Sequence, residues 1–136
     1  MTTGPDSFPT QLLDFTILVV DDGEITRRMM VGLLRAIGFQ DVIAAEDGAV
    51  ALDLLADEQI RPDIILCDWL MPNVDGLEVL TRIRKTAGHP KFIMVTAVDN
   101  IEAAMLARAH GADGYLIKPV TKASLQKVID DTLGRL

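Results

Sequence analysis

Five polar residues spread along the chain have side chains suited to moving a phosphoryl group: Asp21, Asp22, Asp68, Thr96 and Lys118. Three carboxylates brought into one pocket repel each other by roughly 4 kcal/mol per pair at about 4 Å and an effective dielectric near 20. A hard divalent cation with oxygen ligands relieves that repulsion, and a few carboxylates with retained waters suit Mg2+ better than Ca2+. With such a metal, the Lys118 ammonium and the Thr96 hydroxyl offer donors to the three non-bridging oxygens of a phosphoryl group in flight. Asp21 and Asp22 are adjacent and fit metal holding. Asp68 stands alone and is the candidate nucleophile, which would form an acyl phosphate.

That chemistry requires a fold that carries all five residues to one place. Short apolar runs at residues 17–20, 42–45, 64–67, 92–95 and 115–117 alternate with stretches whose apolar residues recur at helical spacing. Met30, Leu33, Leu34 and Ile37 form the first helical stripe, with Gly38 where a C-terminal glycine belongs. Val50, Ala51, Leu54 and Leu55 form the second, Leu77, Leu80 and Ile83 the third, and Leu125, Val128, Ile129 and Leu133 the fifth. The fourth stretch, residues 101–110, is alanine-rich with few large anchors, so it should be helical yet bury little. Five βα units of this kind predict an α/β, doubly wound parallel sheet covered on both faces. Such a sheet reverses its winding once, and ligands bind beyond the carboxyl ends of its strands. The polar residues sit at those ends: Asp21-Asp22 after the first strand, Asp68 ending the third, Thr96 the fourth and Lys118-Pro119 the fifth.

Composition narrows the function further. The chain has 136 residues, enough for one packed domain, and its net charge of −7 comes from 20 acidic and 13 basic residues with no basic stripe. Direct nucleic-acid binding is therefore not expected. The single cysteine, Cys67, excludes an intrachain disulfide and fits a reducing compartment. No apolar run reaches the ~18 residues of a membrane helix, and a cytoplasmic protein is expected. Residues 1–14, with Gly4, Pro5 and Pro9, read as a flexible arm ahead of a domain spanning 15–136.

The strand-end motifs VVDD ending at Asp22, CDWLMPNVDG around Asp68, VTA containing Thr96 and YLIKP containing Lys118 occur in order. From about Phe15 to the C-terminus the chain resembles the response-regulator receiver domains of bacterial two-component systems. The resemblance implies a five-stranded sheet with five helices in the flavodoxin-like, CheY-like order 2-1-3-4-5. It implies Mg2+ held by Asp21, Asp22, Asp68 and the backbone carbonyl of Leu70, phosphorylation of Asp68, and a cis peptide at Lys118–Pro119. Thr96 and Tyr115 would be the switch residues. A histidine kinase or histidine phosphotransfer protein would donate the phosphoryl group, and the face of the fourth helix, fifth strand and fifth helix would bind a downstream protein. The chain would be a signalling phosphoacceptor rather than an enzyme. Leu70 and Val98 are apolar where relatives can carry Asn or Glu, which predicts a long-lived phosphorylated form.

Each residue also has a plainer reading. Asp21 and Asp22 could cap a helix, Asp68 could be a turn residue, and Lys118 a solvated lysine. Cys67 reads as an inert core thiol, His89 and His110 as loop and helix-end residues, Asp75 as a turn residue, and Arg27-Arg28 as a solvated helix face. The acidic loop at 21–24 argues against a flavin carrier, and Leu70 stands where a haloacid-dehalogenase-type phosphatase needs a second acid. A receiver excised from a longer regulator, or one that signals without phosphorylation, is the alternative. A Met start and an end after the fifth helix favour a stand-alone protein.

Overall fold

A computed structural model describes residues 11–86 and 90–134 of the chain. After a 3-10 turn at Leu12–Asp14, the elements run β1 (Thr16–Val20), α1 (Glu24–Ile37), β2 (Asp41–Ala45), α2 (Gly48–Leu55), β3 (Ile64–Asp68), α3 (Gly76–Thr86), β4 (Lys91–Thr96), α4 (Ile101–Ala109), β5 (Gly114–Ile117) and α5 (Lys122–Leu133). The five strands pair in parallel in the order β2-β1-β3-β4-β5, as expected. The expected arm lies mostly outside the described residues. Its end, Leu12, packs against the core.

Alternation along the central strands divides the core in two. Ile17, Val19, Ile64, Leu66, Ile93 and Val95 pack with Met30 and Leu34 of α1 and Leu125 and Ile129 of α5. Their neighbours Leu18, Val20, Ile65, Cys67, Phe92 and Met94 pack on the other face, against Ala51 of α2, Val79, Leu80 and Ile83 of α3, and Ala107 of α4. Burying such aliphatic side chains contributes about 1.5–3 kcal/mol each, so the three central strands, buried on both faces, supply much of the core's stability. Strands β2 and β5 lie at the edges and are only partly buried, which departs from the expectation of strands covered on both sides. As expected, α4 contributes one buried residue, Ala107, and leaves Ile101, Met105 and Leu106 exposed.

Local signals set the helix starts. Asp47 Oδ1 accepts from the Val50 N–H, Asn100 Oδ1 from Ala103, and Asp75 Oδ1 from Glu78, so Asp75 caps α3 rather than merely turning the chain. Thr121 and Ser124 form a reciprocal capping box on α5. His110 ends α4, whereas His89 lies outside the described residues.

Register then fixes the height of the site. Val20, Cys67, Met94 and Tyr115 are level across β1, β3, β4 and β5, Asp68 is level with Val95 and Leu116, and Thr96 with Ile117. Asp21, Asp68, Thr96 and Lys118 therefore emerge within about two residues of one another in height. The start of α3 is drawn against the end of β3 at Gly76, whose N–H donates to the Trp69 carbonyl at 2.8 Å. A Cβ there would lie 2.5 Å from the Asp68 carbonyl oxygen and 2.9 Å from Met94 Sδ. Gly32, on the exposed side of α1, has open space around it. Gly76→Ala is accordingly expected to lower stability by about 1–3 kcal/mol in urea unfolding. Gly32→Ala should raise it by about 0.5–1 kcal/mol, and equal effects at the two positions would contradict the close approach at Gly76.

Candidate functional site

Beyond the carboxyl ends of the strands, one carboxylate oxygen each from Asp21, Asp22 and Asp68 lie within 4.8 Å of one another. Asp21 directly follows β1, and its N–H extends the ladder to the Ala45 carbonyl of β2. Its Oδ1 accepts from the Gly23 N–H at 2.8 Å, and only 4% of its surface is exposed. Asp68, at the end of the central strand β3, is 8% exposed, while Asp22 is exposed at the mouth of the cluster.

From the neighbouring strand end, Lys118 Nζ donates to Asp68 Oδ2 at 3.0 Å and lies 3.8 Å from Asp21 Oδ2. Its N–H donates to the Thr96 carbonyl at 2.8 Å, and the Lys118–Pro119 peptide is cis, as expected. Thr96, 1% exposed, accepts from the Val98 N–H at its Oγ1 at 3.1 Å. That bond uses an oxygen lone pair, so the O–H hydrogen remains for another acceptor.

The Val98 carbonyl in turn accepts from the Tyr115 hydroxyl at 2.7 Å. Val98 thus bridges Thr96 and Tyr115 through its two backbone polar groups. The Tyr115 ring stands edge-on to Trp69, with centroids 6.4 Å apart. An apolar groove of about 310 Å³ opens beside these residues, lined by Trp69, Leu70, Val98, Glu102, Ala103 and Leu106.

Burial and charge act together on the acids. The Asp68 carboxyl is raised above the ordinary carboxylate range, chiefly by burial and further by the charges of Asp21 and Asp22; Lys118 opposes the shift. Cys67 is buried and its thiol is pushed well up, first by burial and then by the Asp68 charge, which makes it the inert core thiol expected. The donor set, three carboxylates converging in a small space with one ammonium beside them, fits a hard divalent cation.

A family model described as the response regulator receiver domain matches residues 17–130. The chain belongs to this family. Among curated receivers it is 36% identical over 122 residues to chemotaxis protein CheY-3 of Vibrio cholerae serotype O1, covering 88% of this chain and 92% of that protein. It is 35% identical over 121 residues to the chemotaxis protein CheY homolog of Campylobacter jejuni, covering 87% and 92%. Among solved structures, a putative response regulator from Chloroflexus aurantiacus superposes with a TM-score of 0.79 at 31% identity, over 89% of this chain and 98% of that one. No helix among the described residues is long and apolar enough to cross a membrane.

This receiver brings together every strand-end residue singled out from the sequence: Asp21, Asp22, Asp68, Thr96 and Lys118. Tyr115 is near them through Val98, and the Leu70 side chain is exposed two residues after Asp68. One expectation fails. Arg27 is not on a solvated face: its Nη1 donates to the Asp21 backbone carbonyl at 2.9 Å. Arg28 is exposed and pairs with Glu24, as expected. The signal for Arg27 was its place near the start of α1, where a positive charge opposes the helix dipole and needs a compensating contact.

The raised Asp68 carboxyl gives a pH prediction. Between the ordinary aspartate value and its raised folded value, the folded state retains a proton that the unfolded state has lost. Stability contributed by this group therefore falls as pH rises through that window, and the deficit persists above it. With a chelator present at pH 7, Asp68→Asn is expected to have a higher Tm than the wild type. The gap should close as pH falls toward the ordinary carboxylate range. A less stable variant at pH 7 would mean that the Lys118 pairing outweighs burial and repulsion.

Proposed function

We propose that this receiver accepts a phosphoryl group on Asp68 from a phosphohistidine of a histidine kinase or phosphotransfer protein. An Asp68 carboxylate oxygen attacks phosphorus, the P–N bond to the donor imidazole breaks, and the departing imidazole is protonated from solvent. The product is an acyl phosphate on Asp68. The observation that carries this reading is the position of Lys118 Nζ, 3.0 Å from Asp68 and 3.8 Å from Asp21, within a three-carboxylate cluster at one sheet edge.

Lys118 holds Asp68 in place before transfer and can follow the charge onto a phosphoryl oxygen afterwards. Thr96 offers its unused O–H hydrogen to a second oxygen. Mg2+, held by Asp21, Asp22, Asp68 and the Leu70 backbone carbonyl, would supply the remaining positive charge. Thr96 and Tyr115 would serve as the switch, and the face of α4, β5 and α5 would bind a downstream protein. Exposed Ile101, Met105, Leu106 and Ile117 on α4 and β5 support that face. Action as a single-domain regulator is supported by relatives matched over 92% of their own length, and the single cysteine suits the reducing cytoplasm in which it would act. The same chemistry makes the protein a phosphoacceptor rather than a turnover enzyme.

Trp69 directly follows the proposed acceptor and reports on it. Its fluorescence should respond saturably to Mg2+, and again to beryllofluoride or acetyl phosphate, with the second response absent from Asp68→Asn. Mass spectrometry should find a base-labile phosphate on the wild type alone. A wild type that shows neither response nor phosphate sinks the proposal.

Leu70 and Val98 line the groove beside Asp68 and offer no group to orient an attacking water. The acyl phosphate should therefore be long-lived, and Leu70→Asn with Val98→Glu should speed its decay roughly tenfold or more. An unchanged decay rate in that double variant would rule out the apolar flank as the cause.

A further inference from the structure

Arg27 lies six residues after Asp21 and reaches back from the first turns of α1 to the end of β1. Its Nη1 donates to the Asp21 carbonyl at 2.9 Å, and its own N–H donates to the Gly23 carbonyl at 2.9 Å. The accepting carbonyl belongs to the peptide that joins Asp21 to Asp22. Holding that oxygen fixes the peptide plane, and with it the direction in which Asp22 leaves the backbone.

The two acids need this help unequally. Asp21 is held through its N–H to Ala45, its Oδ1 from Gly23 and its Oδ2 near Lys118. Asp22 is exposed, and its carboxylate makes no hydrogen bond or ion pair to the described residues. Its place within 4.8 Å of the other two carboxylates therefore depends on the backbone that presents it. A guanidinium suits this task, because it stays charged and offers several donors in a rigid plane. That contact with the Asp21 carbonyl accounts for a cation near the positive end of a helix, where the dipole disfavours it.

We infer that Arg27 is a positioning residue for the divalent-cation site: it pins the Asp21–Asp22 peptide so that both carboxylates face one ion. The inference rests on the proposed metal-holding role of these acids. Arg27 itself would not touch the ion.

Mg2+ titration of the full chain, followed by Trp69 fluorescence, tests it without reference to phosphorylation. Measurements are made at least about 20 °C below each variant's Tm, so that a loss of fold is not read as a loss of affinity. Arg27→Ala is expected to weaken Mg2+ binding about tenfold, while Arg28→Ala, one residue along on the exposed face, binds like the wild type. Arg27→Gln, which keeps a shorter donor, replaces Arg27→Ala if the latter does not fold and should also bind more weakly. If the Arg27 variants lose Tm but bind Mg2+ like the wild type, Arg27 is structural only and the inference is overturned. If Arg28→Ala weakens binding as much as Arg27→Ala, general surface charge is the cause and the inference is again overturned. A wild type that does not bind Mg2+ at all would instead overturn the metal-site reading on which the inference rests.

Discussion

Carboxylate oxygens of Asp21, Asp22 and Asp68 lie within 4.8 Å of one another, and two of these residues are almost inaccessible to water. Isolated, such a group would separate or take up protons, since each pair at that range repels by several kcal/mol and burial adds to the cost. What holds it is the central sheet. β1, β3 and β4 are packed on both faces, and their register leaves the strand ends no freedom to drift apart. Lys118 opposes the charges of Asp21 and Asp22, yet burial keeps the Asp68 carboxyl raised, so its charged form is left under-compensated among three acids and one ammonium. A cation is the simplest species that removes the deficit.

Stiffness at the strand ends contrasts with weak anchoring next to them. α4 buries one side chain, Ala107, whereas α3 buries Val79, Leu80 and Ile83. The C-terminal end of α4 is nonetheless well tied, because Arg84 of α3 donates to the Gly111 carbonyl through both Nε and Nη2 and pairs with Asp113. Near its N-terminal end, the preceding loop is held by the Tyr115 hydroxyl on the Val98 carbonyl. A helix tied at one end and lightly held at the other can shift by pivoting, at small cost in buried surface.

Much of this was legible in the sequence. Apolar runs with polar strand ends gave the five βα units, because a parallel sheet buried on both sides leaves the alternation of strands and helices as its pattern. The convergence of Asp21, Asp22, Asp68, Thr96 and Lys118 followed from topology alone. What escaped depends on where a long side chain turns. Arg27 and Arg28 are neighbours of one type, yet one reaches a backbone carbonyl and the other pairs with Glu24 at the surface. Helical periodicity assigns a face and not the reach of a guanidinium. The half-burial of β2 and β5 was not legible in their composition, which is apolar enough for a central strand; it follows from the order 2-1-3-4-5, which only the family resemblance implied.

Acyl phosphate formation on Asp68 would replace a monoanion with a more highly charged group in a pocket already short of positive charge. The added oxygens must recruit whatever donors remain. The Thr96 O–H hydrogen is one, and turning it toward a phosphoryl oxygen disturbs the bond that Oγ1 accepts from the Val98 N–H. Val98 is also the residue whose carbonyl holds Tyr115. A rotation at Thr96 would therefore reach Tyr115 through the single residue Val98, which is hydrogen-bonded to both. The same loop leads directly into Asn100 and α4, the least buried of the five helices. The electrostatic demand at a phosphorylated Asp68 would thus fall on the element that resists it least, which is the physical requirement for a charge change at one strand end to alter the surface beside it.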